Sequence, residues 1–197
     1  MDNSIFSELE LCCINVVGTS GSGKSTFAAR LAERLNIPLI ELDRLNWGPN
    51  WQATDEKRLL AKLGDELVQE QWVLDGNYTN TIPLKWAHAT MVVWLDYSFI
   101  RTLWQITKRS WQRAWSGREV WPDTGNVETF GKLFFSRESM ILWVFKTYFS
   151  NRRKYANLIQ SSPYDHLQFV RLRSPKDAER FLETIPLPPH GSVHGGG

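Results

Sequence analysis

A glycine-rich segment near the beginning of the chain constrains its fold more than any other feature. Residues 18–26 read GTSGSGKST, which fits the P-loop pattern G-x-x-x-x-G-K-[ST] at every position. Glycines allow backbone conformations with positive φ, so several N–H groups can point at one phosphate group. An apolar strand pattern precedes the segment at 11–17 and a helical pattern follows it at 27–35, which is the context that a P-loop requires. The sequence therefore predicts a phosphate-binding loop between a strand and a helix.

The positions of the motif predict individual roles. Lys24 would reach the β- and γ-phosphates of ATP, and Ser25 would bind Mg²⁺ through its hydroxyl group. The helix expected from about Lys24 would direct its positive N-terminal end at the same anion. The nucleotide-binding residues expected in this segment are Gly18, Ser20, Gly21, Ser22, Gly23, Lys24, Ser25 and Thr26. The alternative, a glycine-rich turn that binds no nucleotide, leaves the flanking strand and helix patterns unexplained.

Length and composition narrow the class of protein. A chain of 197 residues suits one domain with a substantial core, and we expect that domain over 1–185, followed by a disordered tail at 186–197. The 23 Lys and Arg against 21 Asp and Glu give a net charge of +2, which argues against a nucleic-acid or polybasic membrane partner. No apolar run approaches the roughly 20 residues that span a bilayer. We expect a cytoplasmic protein, whose oligomeric state the composition does not set.

Strand and helix patterns alternate along the rest of the chain. The strand patterns lie at 39–42, 72–75, 91–96 and 166–172. The helical patterns lie at 54–71, 98–115, 139–160 and 175–185. The nearly continuous apolar run at 91–96 is typical of a parallel strand covered on both faces, which indicates an open α/β sheet. Thr54 is the expected N-cap of the helix that follows it.

A polar pair ends the strand predicted at 39–42. In an open α/β sheet the carboxyl ends of the strands hold the ligand, so Asp43 would orient a hydroxyl of an acceptor and Arg44 would hold an anionic group. Trp47, in the aromatic loop at 45–51, would form a wall of the acceptor pocket. The alternative is a surface ion pair after a strand, and the sequence is equally compatible with it.

The strand predicted at 72–75 ends in Asp75. An apolar strand that ends in an acidic residue downstream of a P-loop is the Walker-B arrangement, in which the carboxylate holds Mg²⁺ directly or through water. The turn after it contains Gly76, Asn77 and Tyr78, which can bring backbone and amide groups to the acceptor. Asp75 is therefore a predicted metal ligand beside the acceptor, and Asn77 and Tyr78 are predicted acceptor-binding residues.

Basic residues gather toward the end of the helix predicted at 98–115 and in the polar loop after it. Mobile guanidinium groups can neutralise the charge that develops on a γ-phosphoryl group during its transfer. We therefore expect a lid at about 109–130 in which Arg109, Arg113 and Arg118 serve this purpose. The alternative is a solvated basic helix face.

Two later segments would complete the nucleotide site. Arg152 or Arg153, near the end of the helix predicted at 139–160, would return to the phosphates, or would only complement the helix dipole. Ser174 and Pro175 begin the last helix as a capping box with proline at the first helical position. The loop that they form would back the adenine ring.

Beyond the P-loop, the chain resembles the topology modulation protein family, a bacterial group among the adenylate-kinase-like P-loop proteins, from about Ile14 to Leu182. The segments that carry the resemblance are PLIELDRLNW at 38–47, WVLDGNY at 72–78, Gly117-Arg118 with Pro122-Asp123, and Arg152-Arg153. The resemblance implies a three-layer α/β/α domain with a five-stranded parallel sheet. It also implies ATP and Mg²⁺ at the P-loop and an acceptor pocket near Asp43, Arg44 and Asp75. One departure is Trp121, where the family pattern has an arginine.

These observations predict a small kinase that transfers the γ-phosphoryl group of ATP to a small acceptor, a nucleoside monophosphate or a related molecule. The alternative is a nucleotide-dependent switch or regulatory ATPase that acts through a protein or nucleic-acid partner. Ten tryptophans in the chain give that alternative some support. The two differ in one observable, because only a kinase forms ADP at a rate that depends on an added acceptor.

Overall fold

The computed structural model describes residues 11–116, 140–160 and 163–186. Its centre is a five-stranded sheet with the strand order β2-β3-β1-β4-β5. The strands are β1 (Cys13–Gly18), β2 (Leu39–Glu41), β3 (Trp72–Asp75), β4 (Met91–Leu95) and β5 (Gln168–Leu172). All four neighbouring pairs are parallel, so the carboxyl ends of the strands meet at one edge. The predicted α/β fold with five parallel strands is confirmed.

Helices cover both faces of this sheet. They are α1 (Lys24–Leu35), α2 (Leu42–Asn46), α3 (Glu56–Leu67), α4 (Ile82–His88), α5 (Phe99–Ser116), α6 (Met140–Gln160) and α7 (Pro175–Thr184). Buried residues of α1 and α7 form one hydrophobic cluster with the sheet, and those of α3, α4 and α6 form another. The result is the three-layer α/β/α architecture that the sequence resemblance implies.

Strand β1 shows why the apolar runs are nearly continuous. Ile14 and Val16 belong to the cluster under α1 and α7, whereas Cys13 and Val17 belong to the cluster on the other face. Because successive side chains of a strand alternate between faces, a central strand covered on both sides needs apolar residues at almost every position. Asn15 is the polar exception, and it is completely buried.

The segment after β2 differs from the sequence prediction. Leu42 begins helix α2, so Asp43 and Arg44 lie in a one-turn helix and not at the end of a strand. Leu42 is fully buried, and its side chain occupies the space in which a Cβ on Gly76 would lie, 2.5 Å from the Leu42 Cβ. Leu42 therefore packs against the residue that follows β3, and β2 ends one residue earlier than its apolar pattern indicates.

The N-cap of α3 is Asp55, so the prediction of Thr54 was wrong. The Asp55 carboxylate accepts hydrogen bonds from the backbone N–H groups of Lys57 and Arg58. The Thr54 hydroxyl instead donates to the Leu45 carbonyl oxygen at 3.3 Å. Threonine and aspartate are both favourable N-cap residues. Here the Thr54 hydroxyl is occupied by Leu45, and Asp55 caps the helix.

Several predictions fall outside the described residues. They concern Arg118, the part of the predicted lid that follows Ser116, and the predicted disordered tail after residue 186. Arg113 lies in α5, but its side chain is not among those described. None of the helices in the described ranges combines the length and the hydropathy that a membrane span requires.

Candidate active site

The P-loop connects the end of β1 to the beginning of α1 at the carboxyl edge of the sheet. Gly21 and Gly23 have φ angles of 84° and 86°, in the left-handed region that favours glycine. A Cβ on Gly21 would also lie 2.8 Å from the Ile106 Cβ of α5. Gly23 is the N-cap of α1 and has no side chain to occupy the N-terminal N–H groups of that helix. These groups and the positive end of the helix are therefore available to an anion.

Lys24 and Asp75 face each other beside the loop. The Lys24 Nζ lies 4.0 Å from the Asp75 Oδ1, and their side chains are only 12% and 7% exposed. Burial raises the pKa of the Asp75 carboxyl group, although the Lys24 ammonium and then the Ser25 hydroxyl oppose that shift. The sheet register explains the proximity, because Asp75 pairs with Val16 two residues before the loop begins.

One oxygen of Asp75 is suited to a cation. The Oδ1 is buried and has no hydrogen-bond partner among the described residues. A positive ligand stabilises a buried carboxylate oxygen that has no hydrogen-bond partner. The Ser25 hydroxyl supplies a second oxygen of the type that Mg²⁺ prefers. In the described ranges no three acidic, histidine or cysteine side chains form a metal-binding cluster. A Mg²⁺ ion would thus take most of its ligands from phosphate oxygens and water, as is usual beside nucleotides.

A cleft of about 400 Å³ opens between the P-loop and helix α5. We call its two sides the P-loop wall and the α5 wall. The P-loop wall consists of Gly21, Gly23, Lys24, Ser25 and Thr26. The α5 wall consists of Trp104, Gln105, Lys108, Arg109 and Gln112. Five of the predicted nucleotide-binding residues therefore line one cleft, and the predicted lid residue Arg109 lines it from the opposite side.

The other predicted nucleotide residues lie outside the lining of this cleft. Gly18 and Ser22 are buried in the loop, and Ser20 is partly exposed there. Ser174 caps α7, where its hydroxyl oxygen accepts a hydrogen bond from the Asp177 N–H, and Pro175 follows it. The role expected of Ser174 and Pro175 at the adenine ring therefore stays a prediction.

Arg152 is held by an aspartate at the same edge of the sheet. Its Nε lies 3.2 Å from the Oδ1 of Asp96, which follows β4. Arg171 donates to the other carboxylate oxygen of Asp96, with its Nε at 2.9 Å. The Arg152 side chain is 46% exposed, so it also reaches solvent, and Arg153 beside it is exposed. The structure thus pairs Arg152 with Asp96, a residue to which the sequence interpretation assigned no role.

The predicted acceptor residues meet around a tyrosine hydroxyl. The Tyr78 hydroxyl donates to the Asp43 Oδ1 at 2.9 Å and accepts from the Asn46 Nδ2 at 3.2 Å. Burial and the negative charge of Asp43 raise the pKa of Tyr78, so the hydroxyl keeps its proton as a donor. Arg44 is exposed on the same short helix, and Trp47 is partly exposed just after it. Asn46 is a member of this group that sequence reasoning missed.

Glu41 was also missed. It ends β2, pairs with Asp75 in the sheet register and is half-buried. Burial first, and then the charge of Asp75, raise the pKa of its carboxyl group. The signal available in the sequence is that β2, like β3, ends in an acidic residue.

A buried network holds the turn after Asp75 in place. The Gly76 carbonyl oxygen accepts hydrogen bonds from the Asn15 Nδ2 at 3.1 Å and from the Lys85 Nζ at 3.0 Å. The Trp86 Nε1 donates to the Asn15 Oδ1 at 3.0 Å. Asn77, a predicted acceptor residue, donates through its Nδ2 to the Gly18 carbonyl oxygen at 3.0 Å. The turn is thereby attached both to the sheet and to the first residue of the P-loop.

Lys85 is unusual because it is completely buried. Burial is the main reason that its pKa falls from 10.5 to about 7; the charge of Lys154 acts in the same direction and that of Asp75 opposes it. No motif in the sequence marks this residue. Its burial follows from the packing of α4 against the sheet.

No protein-family model matches the chain, and no curated protein is a significant match. Solved structures do share its fold. A shikimate kinase from Acinetobacter baumannii, in complex with shikimate, superposes with a TM-score of 0.53 and 17% identity, over 89% of this chain and 90% of that chain. A shikimate kinase from Bacteroides thetaiotaomicron has a TM-score of 0.50 and 14% identity, over 86% of this chain and 96% of that chain. At these identities the likeness concerns the fold, and this chain has the three-layer α/β/α P-loop fold of those kinases.

Proposed function

We propose that this chain is an ATP-dependent kinase that transfers the γ-phosphoryl group of ATP to a small-molecule acceptor. The observation that carries the proposal is the position of the buried Asp75 carboxylate beside the P-loop wall, with one oxygen lacking a hydrogen-bond donor among the described residues. These groups suit the phosphates and the cation of a nucleotide. The fold shared with two shikimate kinases supports the proposal by analogy, as does the resemblance to the topology modulation protein family.

Catalysis would depend on positioning and charge neutralisation, because the charge of the transferred group lies on its oxygens in the transition state. Lys24 would bridge the β- and γ-phosphates from the P-loop wall. Arg109 would approach the same phosphates from the α5 wall. Ser25 and Asp75 would hold Mg²⁺, which supplies further charge neutralisation at the phosphate oxygens when bound.

Other arginines are proposed to join Arg109 during transfer. They are Arg113 and Arg118, from a lid at about 109–130, and either Arg152 or Arg153. For Arg152 this role requires an exchange, because its guanidinium pairs with Asp96. A half-exposed arginine at the carboxyl edge of the sheet can make that exchange without leaving a buried charge unpaired, since Arg171 also neutralises Asp96.

We propose one cytoplasmic domain over 1–185 as the working unit.

The acceptor would bind between α2 and the turn after β3. Asp43 would orient a hydroxyl group of the acceptor, because the Tyr78 hydroxyl fixes one of its carboxylate oxygens. Arg44 is exposed and would hold an anionic group. Trp47 and Trp51, with ring centroids 6.0 Å apart, would form a wall. These groups suit a small molecule with a hydroxyl and an anionic group, such as a nucleoside monophosphate.

The test is ADP release from Mg·ATP by the purified protein, with and without each member of an acceptor panel. The panel contains nucleoside monophosphates, nucleosides and small hydroxy acids, including shikimate because the A. baumannii neighbour was solved with it. Lys24→Ala is the inactive variant, and Lys57→Ala, at an exposed position on α3, is the matched control. Thermal melting of both variants establishes that they fold.

We expect one acceptor to raise ADP release well above the rate in water, and only Lys24→Ala to lose that gain. Turnover that is slow and independent of every acceptor, with ATP still bound, would contradict the kinase proposal. That result would favour the nucleotide-dependent switch.

A further inference from the structure

The α5 wall places an exposed aromatic ring in the nucleotide cleft. Trp104 is the aromatic side chain among the described residues that line this cleft, and it is 60% exposed. The Lys108 Nζ lies 5.2 Å from the centre of the Trp104 ring system. Pockets that bind small molecules are lined predominantly by hydrophobic and aromatic side chains.

The phosphate end of the nucleotide occupies the opposite wall in the proposed function. The N-terminal N–H groups of α1 and the Lys24 ammonium fix that end at the P-loop. We infer that the remainder of the nucleotide leaves the P-loop through the cleft, where α5 is the facing surface.

A second observation places the nucleoside part against α5. The Gln105 Oε1 is buried and has no hydrogen-bond partner among the described residues, although Gln105 lines the cleft. This atom is an acceptor and requires a donor. The oxygens of an ionised triphosphate donate no hydrogen bond, whereas a ribose hydroxyl or a base N–H does. A ribose hydroxyl or a base N–H of the nucleoside would satisfy this acceptor.

We propose that the indole of Trp104 is the platform on which the heterocyclic base of the bound nucleotide stacks, with Gln105 beside it to accept a hydrogen bond from the nucleoside. This inference rests on the nucleotide binding of the proposed function and adds a recognition residue to it. Bases stack on aromatic side chains through their π-faces.

The experiment compares two ligands that share a diphosphate, Mg·ADP and Mg·pyrophosphate, by isothermal titration calorimetry. The variants are Trp104→Ala, Trp104→Phe and the control Trp111→Ala, which removes a tryptophan of the same helix that is 53% exposed and does not line this cleft. We expect Trp104→Ala to weaken Mg·ADP binding about tenfold or more, the size of a base–aromatic stack. Pyrophosphate binding should not change, Trp104→Phe should retain most of the ADP affinity, and Trp111→Ala should behave as the wild type.

Other results overturn the inference. If Trp104→Ala leaves ADP affinity unchanged while Pro175→Ala lowers it, the base lies against the loop at Ser174 and Pro175. If Trp104→Ala weakens ADP and pyrophosphate equally, the residue supports the phosphate site and not the base. Lys24→Ala separates this failure from failure of the proposed function, because it should weaken both ligands. A wild-type protein that binds neither ligand would refute the proposed function as well.

Discussion

The two walls of the proposed nucleotide cleft differ in how they are made. The P-loop wall is backbone in fixed conformations, with glycines at positive φ and the nearly buried Lys24 beside Asp75. The α5 wall consists of long side chains on one helix, and its Trp104 and Lys108 are exposed. The first wall is set by the register of a parallel sheet. The second depends on side chains that can change rotamer.

This difference separates two tasks. Phosphate chemistry is the same for every nucleoside triphosphate, so a rigid wall of N–H groups and one lysine can serve it. Recognition of the base and closure over the phosphates need side chains that reach outward and move. Substitutions in the P-loop wall should therefore affect phosphate binding, turnover or folding, whereas substitution of Trp104 on the α5 wall should affect the affinity for the base. The predictions below test this division.

The largest effect is expected from Asp75→Asn. Loss of the carboxylate removes the proposed Mg²⁺ ligand, and turnover should fall on the order of 10²–10³-fold, which is typical of a group that stabilises developing charge. Because burial raises the pKa of Asp75, a neutral isostere should not destabilise the fold. Acceptor-dependent ADP release and thermal melting measure the two outcomes. Asp65→Asn, at an exposed position on α3, is the control, and an Asp75→Asn variant with wild-type turnover would remove this residue from the site.

The next effect concerns the rigidity of the P-loop wall. Gly21→Ala places a Cβ 2.8 Å from the Ile106 Cβ at a φ of 84°, so we expect a loss of about 1–3 kcal/mol in the free energy of unfolding. Gly64→Ala is the matched control, because a Cβ at Gly64 in α3 meets nothing within 4 Å. It should stabilise the protein by about 0.5–1 kcal/mol. Urea unfolding of both variants measures the difference. Equal changes in the free energy of unfolding would show that the P-loop wall accommodates a Cβ at Gly21 without strain.

The parts of this site that were predictable from sequence are those specified by neighbours in the chain. The P-loop and the strand that ends at Asp75 each carry their own pattern, and both lie where the patterns indicate. The contacts that hold the turn after Asp75 are different. Asn15 receives the Trp86 indole N–H from 71 residues away, and nothing within a short window of sequence indicates that pair.

The same reasoning explains the local errors. Leu42 continues the apolar pattern of β2, but it begins α2 and packs against Gly76, a contact between residues that are distant in sequence. Thr54 and Asp55 are both good N-caps, and the contact of the Thr54 hydroxyl with Leu45 decides between them. Nothing in the sequence distinguishes Lys85 from an exposed lysine, because its burial follows from the packing of α4 on the sheet.

Lys85 provides a pH test of the buried network that holds the turn after Asp75. Its pKa is about 7 in the folded protein and 10.5 ordinarily, so between those values the unfolded chain binds more protons than the folded one. The contribution of Lys85 to the free energy of unfolding should therefore rise with pH, by about 2 kcal/mol between about pH 7 and about pH 9. Other groups titrate in the same range, so the quantity to compare is the difference in free energy of unfolding between the wild type and Lys85→Met at each pH. A difference that does not change with pH would mean that the Lys85 amine is charged in the folded protein throughout.

The smallest effect is expected on the acceptor side, from Tyr78→Phe. The variant removes the hydroxyl that donates to Asp43 and accepts from Asn46. One neutral donor to a carboxylate contributes about 1–2 kcal/mol, so the KM for the acceptor should rise about fivefold to thirtyfold. The affinity for Mg·ADP should stay unchanged, because Tyr78 is not among the described residues that line the proposed nucleotide cleft. If the ADP affinity falls with the acceptor KM, the two halves of the site are coupled through the turn from Asp75 to Tyr78, and the division between a rigid phosphate wall and adaptable recognition surfaces does not hold.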